Sequence, residues 1–431
     1  MRTLINYFSL GLLILFGGQA LAQEKEGRDL DNFRYRDQRG IQQFEAPKDT
    51  ASTFSGVNVR IGGASTIQFQ ALNHESTGIP VDEDGNPISL IEIGDNFNLP
   101  TANLDFDVHL YDGVRMHLRT YLSSRHHPEP YVKGGYIQID KLNFISEGFM
   151  EDLMKDVRIK IGHMENNYGD AHFRRSDNAQ AIYNPFVGNL IMDAFTTEVG
   201  AEVYYFKKGF LGMLGVTNGK LNQAVSNPDK TDPSFLAKLG YDSMINDDLR
   251  VRLAGSVYHT NKSANAYLYS ADRAGSRYYL VMEPEGATTS ANFTSGRFNP
   301  GLRNELTAFM VNPFVKYGGL EFFGTYERSS GKADAETDER SFSQYAGELI
   351  YRFGNSENVY VGGRYNYVDG EMMDGTNVNI SRFNLAAGWF MTKNILAKLE
   401  YVNQKYEGFP TNDLRNGGKF DGVVVEAVIS F

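Results

Sequence analysis

The feature that most constrains the fold is a period-two alternation of residues that recurs along most of the chain. In the last segment, 421–431, the odd-numbered side chains from Val423 to Phe431 are apolar, whereas Glu426 and Ser430 fall on the other face. This period is that of an extended strand, in which successive side chains point to opposite faces. An alternating strand that ends in an aromatic residue is typical of the closing strand of a membrane barrel.

The same alternation occurs upstream in many segments. In 113–124, Val114 and Leu118 share a face that excludes Arg115 and Arg119. A tilted strand of about 9–11 residues crosses the hydrocarbon core, and these segments are long enough to do so. The sequence contains about 16 such segments, and an even number of strands is what a single-chain bacterial barrel requires. The predicted fold is therefore all-β, a transmembrane antiparallel β-barrel over 56–431. The segments are 56–72, 101–111, 113–124, 130–141, 155–164, 196–206, 210–218, 233–243, 248–260, 305–317, 319–329, 341–353, 357–369, 379–391, 394–405 and 421–431.

The links between these segments alternate in length, as expected for a barrel with both termini on the periplasmic side. The long links are 73–100, 165–195, 219–232, 261–304 and 406–420. The short links are 112–113, 207–209, 244–247, Gly318, 354–356 and 392–393. One turn, 142–154, is longer than expected, and we predict a short helix there from Phe149 to Lys155. Such alternation disfavours a soluble sandwich or propeller.

The N-terminus has the three parts of a secretory signal peptide. Arg2 supplies the positive charge, residues 8–16 are largely apolar, and Ala20-Leu21-Ala22 forms a small-residue cleavage site. We predict cleavage after Ala22, so that 1–22 is a signal peptide. After residue 22 the sequence has no stretch of about 20 apolar residues, which a membrane-spanning helix would need.

The residues that follow, 23–55, are polar, mixed in charge and nearly without periodicity. We assign them to a periplasmic N-terminal arm, either disordered or tucked into the barrel mouth. On composition alone, a featureless tail is the favoured interpretation.

Composition and motifs exclude several classes of function. The chain has no cysteine and a formal net charge of −11, which argues against thiolate metal sites and against a nucleic-acid partner. Adjacent His126 and His127 offer no third ligand at a useful spacing, so no metal site is predicted. His172 and Glu165 lie near each other in sequence, but no nucleophile stands beside them. We therefore predict no catalytic residues, no enzyme activity and no cofactor.

The long link 165–195 is the candidate constriction of the lumen. A barrel of about 16 strands encloses a water-filled lumen too wide for wall side chains to fill, so selectivity depends on what narrows and charges it. This link is mixed in charge and has an apolar patch within 186–192 that would hold it against the wall. A basic wall facing an acidic loop would create a transverse field, whereas the alternative is that these charges only solvate the lumen and pair locally. The predicted selectivity zone comprises Arg115, Arg119, Arg158, Lys160, Asp170, Arg174, Arg175 and Asp177.

Motifs in and around this link resemble porins of Bacteroidetes. They are Gly169–Phe173, 174–178, Asn184-Pro185-Phe186 and 192–195. These porins are distant relatives of the phosphate-selective group, and the link also resembles the inward-folded third loop of general 16-stranded porins. The resemblance implies an outer-membrane channel of a Gram-negative bacterium, with a constriction loop in the lumen and assembly as a homotrimer. Only Arg174 and Arg175 in this link match the basic ladder of phosphate-selective members. The terminal strand resembles the signature that the barrel assembly machinery recognises.

The sequence therefore predicts an outer-membrane porin, surrounded by lipid, through which small hydrophilic solutes or ions diffuse passively. Three alternatives stay open. One is an anion-selective, phosphate-type channel. Another is a structural or secretion-accessory barrel, plugged by the arm or by 261–304. The third is an outer-membrane hydrolase or protease, for which no Ser/His or Asp/His set can be placed.

Overall fold

The computed structural model describes residues 30–49, 51–123, 127–219, 230–270 and 276–431. Each predicted segment overlaps one strand of the structure, so the prediction of about 16 strands is confirmed. The predicted signal peptide, 1–22, and His126 lie outside the described residues. The strands are β1 (Asn58–Glu75), β2 (Asn96–Tyr111), β3 (Val114–Ser123), β4 (His127–Ile139), β5 (Val157–Glu165), β6 (Thr197–Lys207), β7 (Phe210–Thr217), β8 (Ser234–Met244), β9 (Leu249–Thr260), β10 (Glu305–Tyr317), β11 (Leu320–Lys332), β12 (Arg340–Phe353), β13 (Val359–Glu371), β14 (Asn377–Thr392), β15 (Ile395–Glu407) and β16 (Lys419–Ser430).

The strands form one closed antiparallel barrel, in which β1 pairs with β2 on one side and with β16 on the other. The closing ladder begins at the pair Ala64 and Ser430. Just beyond it, Gly63 and Phe431 exchange two backbone hydrogen bonds of 3.0 Å. The terminal aromatic residue thus fastens the last strand to the first, which leaves no free sheet edge within the membrane.

Alternation along the strands sorts the side chains as predicted. Leu104, Leu239 and Leu385 point outward and are 42%, 74% and 50% exposed, whereas Arg115 and Arg119 point inward and are buried. A closed barrel with an apolar outer face is stable in lipid, because its backbone groups are all paired between strands. No described helix is long and apolar enough to cross a membrane.

The links sort into a loop end and a turn end of the barrel. The loop end includes the long links L1 (76–95), L3 (166–196), L5 (261–304) and L8 (408–418). The turn end includes the short links 112–113, 208–209 and 393–394. It also includes the longer link 140–156, which contains α1 (Glu151–Met154), so the prediction of a short helix there is confirmed.

Two of the long loops fold into the barrel. Val187 and Ile191 of L3, and Tyr278 and Val281 of L5, are buried in one apolar cluster. The predicted water-filled lumen is therefore narrower than the number of strands implies, because loops fill what wall side chains cannot. The wall residues of this cluster include Leu306, Ala308, Met310, Val378, Ile380, Val402, Phe420 and Val424.

The described part of the N-terminal arm, 30–49, lies inside the barrel at the turn end. Phe33 and Phe44 are only 3% and 2% exposed. The backbone N–H of Gln38 donates to the carbonyl of Lys393 at 2.8 Å. The interpretation of these residues as a featureless tail is wrong, because scattered aromatic side chains bury themselves although the segment has no periodicity.

Pro313 lies in the middle of β10, where a proline is unusual because it has no N–H for the ladder. The neighbouring strand makes room for its ring, since a Cβ added at Gly324 would lie 2.8 Å from Pro313 Cγ. Next to it, Asn312 Nδ2 donates to the carbonyl of Gly324 at 3.0 Å. The side-chain amide of Asn312 thus gives the carbonyl of Gly324 a donor beside the position where Pro313 has no backbone N–H.

Gly324→Ala is expected to destabilise the barrel by about 1–3 kcal/mol, the usual cost of overpacking. Gly347→Ala is the matched control, because the nearest atom to its added Cβ would be 3.8 Å away, in Phe322. The measurement is the temperature at which the compact folded band disappears in a heated SDS gel series. Equal transition temperatures for the two variants would contradict this explanation of how Pro313 is accommodated.

Candidate channel constriction

A solvent-open cavity lies between L3, the arm and the lumen face of β3 to β6. The only carboxylates among its lining residues are Glu45 and Glu165. The cavity surface is therefore predominantly positive. Its basic side chains are Arg34, Arg36, Arg115, Arg119, Lys133, Arg158 and Lys160.

Two of these cations project from β3 and are held by carboxylates of β2. Arg119 donates to both oxygens of Asp105, from Nε at 2.7 Å and from Nη2 at 2.6 Å. Arg115 Nη1 donates to Asp107 Oδ1 at 2.9 Å. Asp105 and Arg119 are opposite each other in the antiparallel ladder, so the two side chains meet on the same face. The carboxylates fix both guanidinium groups and compensate part of their charge.

Arg158 of β5 connects the wall to the arm. Its Nε donates to Asp140 Oδ1 at 2.9 Å. Its Nη1 and Nη2 donate to the backbone carbonyls of Ala46 and Pro47 at 2.8 and 2.7 Å. The Nη1 and Nη2 donors of Arg158 are thus occupied by neutral backbone oxygens of the arm.

Lys160, two residues further along β5, has a different environment. Its Nζ lies 3.3 Å from the hydroxyl of Tyr204 and 5.5 Å from the ring centre of Tyr136. No carboxylate in the described part of the chain forms an ion pair with it. Its charge is therefore available to a solute in the cavity.

The arm contributes two further cations. Arg34 donates to the carbonyl of Gly40 at 3.0 and 2.9 Å and lies 3.7 Å from the ring centre of Tyr183. Burial lowers the pKa of Arg34 to about 10, so it remains charged at neutral pH. The guanidinium of Arg36 lies 5.5 Å from the ring of Phe33, and its buried Nε has no hydrogen-bond partner. Within the described residues, neither arginine forms an ion pair with a carboxylate.

The predicted charges of L3 lie away from this surface. Asp170 pairs with Lys238 and Arg252 of the wall, each at 2.7 Å. Burial alone would raise the pKa of Asp170, but these two cations together hold it well below its ordinary value. Asp170 therefore fastens the start of L3 to β8 and β9.

The next three predicted charges also fix the loop. Arg174 bridges Glu321 of β11 and Glu348 of β12, at 2.5 and 3.0 Å. Arg175 pairs with Asp177 at 3.1 Å, and with Asp193 at 2.8 Å, inside L3 itself. All of these side chains are buried.

The predicted selectivity residues thus separate into two groups of four. Arg115, Arg119, Arg158 and Lys160 line the cavity, whereas Asp170, Arg174, Arg175 and Asp177 are anchors of L3. The acidic groups of L3 that would create the opposing side of a field are paired, and so are the three arginines of the wall. Lys160 is the predicted charge that forms no ion pair among the described residues. A role in selectivity remains a prediction for all eight.

L5 is fastened to the wall at β15 and β16. Arg277 of L5 and Lys398 of β15 both contact the carboxylate of Glu426 on β16, and the Lys398 contact measures 2.8 Å. Lys398 also donates to the carbonyls of Ala181 and Phe186 in L3, at 3.0 and 2.9 Å. One wall carboxylate therefore connects both inward loops.

Among the charged lining residues that sequence reasoning did not assign to the constriction are Arg34, Arg36, Glu45 and Lys133. Three of them belong to the arm, whose contacts with the lumen have no signal in a period-two analysis. A usable signal was present in the alternation of basic and aromatic residues from Phe33 to Arg36. Such a pattern favours burial against a charged wall over a solvated tail.

Among the described residues, Asp105, Asp107 and His117 place potential metal ligands within 4.8 Å of one another. Arg115 and Arg119 already neutralise the two carboxylates, so this group does not fit a cation. In L3, His172 contacts Glu165 at 2.5 Å and Asn167 at 3.0 Å through its two ring nitrogens. The histidine thus serves to hold the loop.

No family model and no curated protein sequence matches this chain. Solved structures do. The anion-selective porin of Comamonas acidovorans matches with a TM-score of 0.53 and 12% identity, over 87% of this chain and 100% of that one. OmpT of Vibrio cholerae, in its trimer form, matches with a TM-score of 0.52 and 12% identity, over 88% and 100%. OprB of Pseudomonas putida matches with a TM-score of 0.50 and 10% identity, over 87% and 94%.

These likenesses establish a fold shared with outer-membrane barrels. Together with strand closure and the apolar outer face, they define the protein as a 16-stranded β-barrel of the outer membrane.

Proposed function

We propose that the protein is a passive channel for small hydrophilic solutes and that it prefers anions. The observation that carries the proposal is the cavity beside L3, which seven basic and two acidic side chains line and where Lys160, Arg34 and Arg36 form no ion pair among the described residues. A constriction lined by one sign of charge concentrates solutes of the opposite sign. One structural neighbour is an anion-selective porin, which agrees with this preference.

The geometry favours diffusion over chemistry. Arg115, Arg119 and Arg158 are held by carboxylates behind the cavity surface, whereas Lys160 forms no ion pair among the described residues. That arrangement suits transient contact with a passing anion. We extend the proposal to assembly: a homotrimer in lipid, inserted by the barrel assembly machinery through β16, agrees with the trimeric form of one neighbour.

Lys160→Gln is expected to lower the ratio of anion to cation permeability by about twofold, because it removes an uncompensated charge from the narrow part of the path. The measurement is the reversal potential of the purified barrel in a planar bilayer under a potassium chloride gradient. Lys155→Gln is the matched control, since Lys155 directly follows α1 and is exposed. A permeability ratio that favours cations in the wild type would refute the anion preference. Equal shifts of the permeability ratio in the two variants would show that Lys160 does not lie on the permeation path.

A further inference from the structure

The arm forms a partition between two cavities. The first is the cavity beside L3, and the second lies at the turn end and is open to solvent. Phe33 and Arg36 line both of them. Between these two residues the arm alternates, with Arg34 facing the first cavity and Tyr35 facing the second. This short stretch of chain therefore separates the constriction from the turn end of the barrel.

An aromatic contact and an ion-pair cluster hold the arm in this position. Phe44 packs against the wall residues Phe314 and Phe323, with ring centres 5.3 and 6.4 Å apart. Next to it, Glu45 pairs with Lys238 at 3.2 Å and Arg252 at 2.9 Å. Burial alone would raise the pKa of Glu45, but the two cations together keep it below its ordinary value. The carboxylate thus stays ionised and bound at neutral pH.

Two further side-chain contacts hold the arm, beside the backbone hydrogen bond from Gln38 to Lys393. Lys48 pairs with Asp140 at 3.0 Å, and Gln42 donates to Glu321 at 2.7 Å. The arm contributes no strand to the barrel, whose closure joins β1 directly to β16. It can therefore leave without breaking a rung of the ladder.

We propose that residues 30–49 are an intramolecular plug, whose departure joins the two cavities into one passage along Arg158 and Lys160. This inference rests on the proposed channel function and adds a closed state to it. The seated arm narrows the path at Phe33 and Arg36.

Departure of the arm also changes the charge of the passage. With the arm seated, Glu45 and Asp170 balance Lys238 and Arg252. Without Glu45, Lys238 keeps Asp170, and Arg252 keeps Asp170 and Asp242. Arg158 loses the carbonyls of Ala46 and Pro47 as acceptors. The same departure removes Arg34 and Arg36 from the cavity, so the open passage is expected to be wider but not to prefer anions more strongly than the plugged one.

The first test compares single-channel conductance of the full chain with that of a variant lacking residues 23–49. Removal is expected to raise the conductance by about threefold or more, because the narrowest part of the path is widened. A synthetic peptide of residues 30–49 should restore the low conductance when added on one side of the bilayer, whereas a scrambled peptide should not. Equal conductance of the full chain and the deletion variant would overturn the plug and leave the channel function standing. Failure of both folded barrels to conduct would overturn the channel function itself.

A point variant tests the same idea with the arm present. Glu45→Lys places a third cation beside Lys238 and Arg252, so repulsion should expel the arm and reproduce the deletion phenotype. Glu83→Lys is the matched charge reversal at an exposed position of L1 and should leave the conductance unchanged. Wild-type conductance in Glu45→Lys, together with enlarged conductance in the deletion variant, would show that this ion-pair cluster does not seat the plug.

Discussion

Arg174→Ala is expected to lower the free energy of unfolding by about 3 kcal/mol, the lower end of the range for removing one partner of a buried ion pair. The lower end applies because each stranded carboxylate keeps another arginine. Glu321 remains 3.1 Å from Arg352, and Glu348 remains 2.7 Å from Arg364. The loss is still large, because Arg174 is the residue of L3 that bridges both carboxylates.

The same variant should also alter the channel. L3 would keep its attachments through Asp170, Tyr168 and Met192 but lose the two ion pairs of Arg174, so the part of L3 around residue 174 would move within the lumen. We expect larger fluctuations of the open-channel current, with little change in ion preference, because Arg174 does not line the basic cavity. Denaturant unfolding followed by tryptophan fluorescence, which Trp389 alone provides, measures the stability. Current noise in planar bilayers measures the motion.

Lys207→Ala is the control for Arg174→Ala, since Lys207 pairs with Asp156 at 2.9 Å but is largely exposed. Exposed pairs contribute little to stability, so this variant should behave as the wild type. A shift in ion preference without a loss of stability in Arg174→Ala would mean that Arg174 acts in the permeation path and is not an anchor.

The strands could be predicted because lipid and lumen impose a period of two on every one of them. Even β10 was found despite Pro313, since the residues around the proline keep the alternation. What the sequence could not reveal was the tolerance of the fold for that proline, which depends on Gly324 of another strand. Long-range complementarity of this kind has no local signal.

The candidate site could be predicted only on its wall side. Arg115, Arg119, Arg158 and Lys160 were placed by strand parity, which fixes the face of each side chain. The alternation of side chains along a strand does not predict where the side chains of a loop lie. Arg174 is as basic as Arg158 in the sequence, yet its partners lie more than 140 residues away on β11 and β12. Whether a charged side chain of a loop lines the cavity or forms a buried ion pair depends on such distant partners. The same is true of the charged side chains of the arm.

Glu426→Ala is expected to have the largest effect on stability, about 3–5 kcal/mol, because it strips a shared carboxylate from two buried cations. Lys398 would keep its backbone acceptors in L3, and Arg277 would keep a hydrogen bond to Thr66 at 3.1 Å. Neither contact neutralises charge, so the two cations would repel each other. Since Lys398 belongs to the barrel wall, L5 is the segment that should detach.

Detachment of L5 can be measured directly by limited trypsin digestion of the folded barrel, followed by mass spectrometry. Cleavage after Arg277, which is 1% exposed in the seated loop, should become fast in Glu426→Ala. Glu426→Gln should show an intermediate rate, because the amide keeps the shape and loses the charge. Glu75→Gln on the same ladder is the control, since Glu75 pairs with Lys419 at 3.0 Å where both are exposed. Protection of Arg277 that is unchanged in Glu426→Ala would mean that the apolar packing of Tyr278 and Val281 holds L5 without the ion pairs. Glu426 would then be needed only to neutralise Lys398.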